Sequence, residues 1–573
     1  MRAKSKFLQT LFMGFLILIS AELISAAESS PAIFPTKNIE LVKTHLQKNI
    51  ATKENVFNFK SKEYECNSVP GAMVAAPNDT NNPLLGNGYE YTWARDTAIS
   101  MHSIASLYEE AIISKNNEQI QKYGEYLYNY INWLKKTVFM KPADISMFYV
   151  DGTQAPRTFQ ADGPPARVRT LVYISDLFIN LPQSIIVDGK KVELNKNFVT
   201  ENIFSPQKPD TDLIGYELNF ICNNWNKETV GLWEMTSGHH YYTKMLDFNA
   251  LIKGAALAKQ LGYSKWSNRC LKQAFEISNN LKGYYQDWEY YGFKHDLKTP
   301  QCTIKIVTEL RDPEEKTIIP TEHWYEQYKR AAGLNTAVLL GVLYGNTFND
   351  FQSDSPTFKV LNKNKYYKKL IENLAAYNFL PTSNEIIQTA YYLRNANTAK
   401  DVEPPYSQGI DVYKINSIGK GPFIGRYPSD HYTGEYWSNN NLYGGPWFIT
   451  TLGLARYYYT LANEYKTTGI INIPAENSPT PEVLNFFRQI TFNTNLQPGT
   501  YKQGGKDFNS IIEGLINSGN KIVEAINSVA ENNNMHMSEQ IDRNTGKETS
   551  FQNLSWSYSS YIDTYNQYIK TVK

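Results

Sequence analysis

Cysteine and histidine are scarce in this chain, with four Cys and eight His in 573 residues. Cys66, Cys222, Cys270 and Cys302 form no CxxC pair, and no HExxH segment occurs. Protein zinc sites draw on such spacings, so no metal and no cofactor are expected. Four cysteines allow three disulfide pairings, and the sequence does not choose among them. An excess of one charge is also lacking: 57 Lys and Arg face 56 Asp and Glu, a net charge of +1. A nucleic-acid partner needs a basic face, so that class is excluded. No Pro/Gly/Ser-rich linker and no repeat of 20–50 residues divides the chain. The apolar run from Leu11 to Ile19 is too short for a stable membrane anchor. It follows Arg2, Lys4 and Lys6 and precedes Ser25-Ala26-Ala27, the pattern of a secretory signal peptide over residues 1–27. A membrane tether is the alternative reading. Cleavage would remove three cations and Glu22, turning +1 into −1. The expectation is a secreted or periplasmic monomer, residues 28–573 forming one domain, in surroundings that permit disulfides.

Aromatic residues are abundant, at 14% with 41 Tyr and 10 Trp, within a hydrophobic content of 42% and a mean hydropathy of −0.46. That excess suits a sugar-binding surface, but it suits a large helical core equally well, and core is the default for any single ring. Apolar residues recur at helical spacing in 98–112, 119–138, 245–262, 264–284, 329–345, 366–379, 384–394, 445–466, 507–530 and 553–570. The expected fold is all-α, an α/α architecture with small β-containing insertions. Residues 183–200 read as a hairpin turning at Asp188-Gly189. Residues 286–320 read as polar and irregular, the kind of loop that builds the mouth of a site. Pro479-Thr480-Pro481 reads as punctuation before a helix.

Three clusters carry chemistry. In Gly88–Met101, Tyr89, Tyr91 and Trp93 stand beside Arg95-Asp96, just before a helical pattern. Rings stack on sugar faces, and an Arg fork with a carboxylate holds paired hydroxyls. In Gly231-Leu232-Trp233-Glu234-Met235 a carboxyl neighbours an indole that can strip its water and raise its pKa, as a general acid requires. In Met537–Arg543, Glu539 occupies a loop-like stretch before a last helix carrying Trp556. Each carboxyl alone reads as a solvated surface group. Together they meet the need of glycoside hydrolysis for two carboxyls flanking the scissile bond.

The order of these motifs resembles the glucoamylases of glycoside hydrolase family 15. Pro70–Pro77 is similar to the family's strand before the site. Tyr89–Asp96 is close to its YxYTWTRD, and Asp162-Gly163-Pro164-Pro165-Ala166-Arg167 to its DGPALR. Leu232-Trp233-Glu234 matches LWE, and Leu334-Asn335-Thr336 echoes its ANT helix. Gly425-Arg426-Tyr427-Pro428 and Gly445-Pro446-Trp447-Phe448 resemble GRYPED and NPWF. Glu539-Gln540 with Asp542-Arg543 and Trp556-Ser557-Tyr558 resembles EQxDR and LTWSY at the family's interval. The resemblance implies an (α/α)6 barrel and an exo-acting glucan 1,4-alpha-glucosidase that releases β-D-glucose from non-reducing ends by inversion. It implies Glu234 as general acid and an ionised Glu539 as general base, about 6.5–9.5 Å apart. Arg95, Asp96 and Arg426 would grip the terminal glucose, with Tyr89, Trp93, Leu232, Trp233 and Trp556 around it.

The chain departs from the pattern in places. Met235 replaces a Glu that normally helps bind the first two sugars, and the Trp expected shortly before Asp162 is missing, with Phe159 nearby. Ser429 breaks GRYPED, while Asp430 keeps its acid. No starch-binding module follows Lys573, so among α-glucan oligosaccharides and polysaccharides soluble oligosaccharides are expected ahead of raw granules. These departures leave open an α-1,6-glucan or trehalose hydrolase on the same barrel. A carbohydrate-binding protein without catalysis is the alternative from another class. His239-His240 reads as packing or hydrogen bonding at a helix start. Asn78-Asp79-Thr80 and Asn553-Leu554-Ser555 fit glycosylation sequons.

Overall fold

The computed structural model describes residues 32–77, 89–140, 142–156, 159–208, 211–290, 302–311, 331–373, 379–398, 414–417, 419, 421–428, 430–434 and 444–573. The leader at 1–27, the sequon at Asn78 and Ser429 lie outside the described residues.

Six helices pack side by side into a closed ring: Ala94–Ile113, Gly163–Asn180, Tyr241–Gln260, Thr336–Tyr344, Phe448–Thr468 and Ser555–Val572. Each touches the next, and the last touches the first. An outer helix backs each one, in the same order: Asn117–Thr137, Leu213–Asn224, Ser264–Leu281, Asn384–Thr398, Lys506–Ala530 and, for the last, Thr36–Lys48. The chain is thus an (α/α)6 barrel, as the resemblance implies. Because inner and outer helices alternate along the chain, all six inner helices start at the same end.

Inner and outer helices differ in how they are buried. Outer helices bury one stripe; Ser264–Leu281 buries Ser267, Cys270, Leu271, Ala274, Ile277, Ser278 and Leu281 at helical spacing. The inner helix Gly163–Asn180 is buried on nearly every side, so it shows no stripe, and periodicity overlooked it. The outer helices Thr36–Lys48 and Leu213–Asn224 were also overlooked. The main core lies between the two rings. A smaller cluster on the axis, with Ile99, Tyr242, Leu246, Leu340, Tyr344 and Trp556, forms a floor. Gly341 permits the close approach of neighbouring inner helices, since a Cβ there would stand 3.1 Å from the Tyr242 Cα.

The hairpin forms as expected, with Gln183–Val187 against Lys190–Leu194 and Asp188 and Gly189 both at positive φ. Within the stretch 286–320, of which 291–301 and 312–320 lie outside the described residues, the reading needs correction where Tyr285–Tyr290 pairs antiparallel with Cys302–Val307, an alternation hidden among polar residues. The expected strand at Pro70–Pro77 reduces to one bridge between Met73 and Ile50. Cys66, Cys222 and Cys270 are free thiols in the structure; Cys222 and Cys270 are buried on adjacent outer helices, where their mutual interaction pushes the first thiol down and the second up.

Candidate active site

The starts of the six inner helices surround one cavity of about 390 Å³. Trp93, Trp447 and Leu554, the residues just before three of these helices, line it directly. Asp162, His240 and Asn335 hold the same places before the other three and bond to the loops and side chains around it. The structure brings together all ten residues singled out in the sequence: Tyr89, Trp93, Arg95, Asp96, Leu232, Trp233, Glu234, Arg426, Glu539 and Trp556 all line this cavity.

Glu539 is almost fully buried at 2% exposure. Its two oxygens accept from Tyr89 Oη at 2.8 Å and Ser550 Oγ at 2.5 Å. Burial pushes its carboxyl up to about 7; the hydrogen bonds from Ser550 and Tyr89 and the nearby Arg426 charge oppose that rise. Glu234 is half-buried, and Trp93 Nε1 donates to its Oε1 at 3.2 Å. Its backbone is left-handed, with φ 59°, a conformation that costs a non-glycine residue on the order of 1–3 kcal/mol and gathers at functional sites. The rings of Tyr89 and Trp93 meet edge to face at 5.4 Å, so the partners of the two carboxyls brace each other.

Two buried arginines complete the walls. Arg95 donates to Asp96 Oδ1 at 3.2 Å, Asp162 Oδ2 at 3.1 Å and the Leu232 carbonyl at 3.2 Å, and lies over the Trp556 ring at 5.2 Å. Burial raises the Asp96 carboxyl to about 6 despite that guanidinium. Arg426 forms a two-pronged pair with Asp430, at 2.7 and 2.8 Å, and faces the rings of Tyr432 at 4.7 Å and Trp447 at 5.2 Å. Trp233 Nε1 donates to Asn335 Oδ1 at 2.9 Å. The pocket therefore offers stacking rings, fixed donors and two carboxyls. Among the described residues, no group of three or more His, Cys, Asp or Glu converges as metal ligands.

Sequence reasoning missed several contributors. Tyr432 and Phe551 line the cavity; Tyr432 Oη meets Tyr89 Oη at 3.1 Å, and Phe551 stacks on Tyr89 at 3.5 Å. No sequence signal marked them or Ser550. Trp447, part of the Gly445–Phe448 motif, also lines the cavity. Phe159 is 43% exposed and is not among the lining residues, so it does not stand in for the missing Trp. Met235 is half-buried, and its sulfur accepts from Tyr427 Oη at 3.0 Å. His240 is hydrogen-bonded at the start of its helix, as expected. Asn553 is engaged with the Tyr558 hydroxyl at 2.7 Å, and the next residue of its sequon, Leu554, is buried.

Comparison with known proteins agrees with this architecture. Glucoamylase GLA1 of Saccharomycopsis fibuligera is 25% identical over 544 residues, covering 91% of this chain and 86% of that protein. A glucoamylase of Blastobotrys adeninivorans is 24% identical over 511 residues, and the match spans 86% of this chain and 66% of that longer protein. The solved glucoamylase of S. fibuligera superposes with a TM-score of 0.66 at 23% identity, covering 94% of this chain and 95% of that one. That of Hypocrea jecorina gives 0.62 at 17%, covering 94% and 72%. The family model of the glycosyl hydrolases family 15 matches residues 55–566, and the chain belongs to that family.

Proposed function

We propose that this glycoside hydrolase of the glucoamylase type acts from the non-reducing ends of α-1,4-glucans, releasing β-D-glucose one unit at a time with inversion. Glu234 protonates the departing glycosidic oxygen. Glu539, as a carboxylate, takes a proton from the water that attacks the anomeric carbon from the other side. Arg95, Asp96 and Arg426 bind hydroxyls of the terminal ring, against the aromatic walls. We further place the enzyme outside the cell after loss of residues 1–27, with 28–573 as one catalytic domain. Among the described residues no helix is long and apolar enough to cross a membrane.

The observation that carries this reading is the setting of the two carboxyls. Both reach one cavity closed by helix starts, each held by a different aromatic donor, and the deeper one bears two hydroxyl donors suited to a carboxylate. The test follows glucose release from a maltose-to-maltoheptaose series by polarimetry or NMR. Initial β-glucose from chain ends is expected; initial α-glucose overturns inversion, and preference for isomaltose or trehalose over maltose overturns the linkage. Glu234→Gln and Glu539→Gln are each expected to lose on the order of 10²–10⁴-fold in kcat with an unchanged thermal midpoint. Near-native hydrolysis by either variant contradicts its assigned role.

A further inference from the structure

Glu234 sits on a six-residue loop, Gly231–Thr236, between the short paired strands Thr229–Val230 and Ser237–Gly238. The loop closes through Gly231 N–H to the Thr236 carbonyl at 2.9 Å and Glu234 N–H to the Gly231 carbonyl at 3.0 Å. Its left-handed residue persists only if the surroundings hold the loop in place. Three buried side chains do so. Gln160 Nε2 donates to the Gly231 carbonyl at 3.0 Å, and Arg95 donates to the Leu232 carbonyl. The third is His240.

The His240 imidazole is 1% exposed and fills the inside of this loop. A Cβ on Gly231 would stand 2.3 Å from its Cε1, so only glycine admits the ring. Nε2 lies 3.2 Å from the Thr236 carbonyl, which can only accept, so Nε2 carries a hydrogen. Nδ1 lies 3.0 Å from Glu309 Oε1, and one proton joins that pair. Glu309, 3% exposed, is itself anchored: its carbonyl accepts Tyr241 N–H at 2.8 Å, and its Oε2 faces Tyr242 N–H at 3.4 Å. The pair touches the loop from behind, and neither residue lines the cavity.

We propose that His240, oriented by Glu309, is a positioning residue that holds the Gly231–Thr236 loop so that the Glu234 carboxyl stays aimed at the departing oxygen. The inference rests on Glu234 being the general acid. Release of the loop displaces the acid by a fraction of an ångström to an ångström, which leaves sugar binding by Arg95, Asp96 and Arg426 in place but weakens proton delivery.

Leaving-group dependence tests this. Maltose needs a proton on its departing oxygen, whereas α-D-glucosyl fluoride departs with little proton help. His240→Leu is expected to lose about 10²-fold in kcat on maltose and only a few-fold on the fluoride, with KM rising alike on both as Leu232 and Trp233 shift with the loop. His240→Gln, whose amide can still donate to the Thr236 carbonyl, is expected to recover most of the maltose rate. Glu309→Ala takes away the partner of Nδ1 without touching the loop, and is expected to show the same split if His240→Leu does not fold, whereas Glu309→Gln, whose amide can donate to Nδ1, is expected to keep the parent rate. Equal losses on both substrates, or no loss, in His240→Leu or Glu309→Ala overturn the proposal. Glu234→Gln serves as the reference. If it shows the split and the other variants do not, only the role of His240 fails; if it loses equally on both substrates, the acid assignment fails first.

Discussion

Ser550 illustrates how one hydroxyl tunes the site. It adopts a left-handed backbone, φ 69°, and that geometry brings its Oγ to the Glu539 oxygen opposite the one held by Tyr89. A hydrogen bond to the ionised form lowers a carboxyl pKa, while burial raises it; here burial prevails and the value stands at about 7. A base must be ionised, so kcat/KM on maltose is expected to fall as pH drops below about 7. Ser550→Ala removes one of the opposing hydrogen bonds, and the acid limb of the profile should move to higher pH. An unchanged limb, or one moved to lower pH, contradicts the assignment of that limb to Glu539. The sequence pointed to both carboxyls through their indole neighbours, but it pointed to Glu234 as the one stripped of water. The structure buries Glu539 more deeply, because its loop packs beneath Tyr89, 450 positions away in the chain, together with Tyr432 and Phe551.

At the level of elements, the starts of the inner helices serve both stability and the site. Asn335 caps Thr336–Tyr344 by accepting Ala337 N–H at 2.9 Å, and the same oxygen accepts the Trp233 indole at 2.9 Å. Asn335→Ala is therefore expected to cost about 1 kcal/mol of stability and to loosen the Trp233 wall, raising KM for maltose. Chemical denaturation and steady-state kinetics measure the two effects; a stability loss with unchanged KM would separate the cap from the pocket. Amphipathic elements such as Ser264–Leu281 were readable because one stripe is buried. Gly163–Asn180 was not, because its buried residues include Gly163, Pro164, Pro165, Arg167, Thr170 and Ser175 beside the apolar ones, which blurs any apolar stripe. The pairing of Tyr285–Tyr290 with Cys302–Val307 escaped notice for a different reason. Strand pairing depends on a partner: Ile304 and Ile306 alternate with polar residues and are buried, but the facing Tyr285–Tyr290 mixes rings with Gln286, Asp287 and Glu289 and shows no strand pattern of its own.

For the whole molecule, closing a ring of helices traps acidic groups in its wall. Burial pushes the Glu464 carboxyl, on Phe448–Thr468, up to about 8, although Asn346 Nδ2 donates to it at 2.9 Å. Asp247, on Tyr241–Gln260, is raised to about 8 by the same cause. The folded chain keeps protons that the unfolded chain releases near pH 4–4.5. Their contribution to stability is complete below that value and is lost as pH rises through about 8. The thermal midpoint is expected to decline between pH 5 and 8.5. Glu464→Gln, which cannot ionise, should flatten that decline and melt higher than the parent at pH 8.5. A parallel decline in both proteins excludes Glu464 as a source.

The sequence by itself determined the helical class, through its apolar periodicity, and, through the order of its motifs, the family and the residues of the pocket, from Tyr89 and Arg95 to Glu234, Arg426, Glu539 and Trp556. It could do so because stacking rings, guanidinium forks and carboxyls are chemical identities, written residue by residue. Only the tertiary structure decided that these segments meet at one end of a barrel, which carboxyl is deeper, and that Ser550, Tyr432, Asn335 and the His240–Glu309 pair stand behind them. Those roles arise from desolvation and from hydrogen bonds that span from 11 to 343 positions of the chain, and neither exists until the ring has closed.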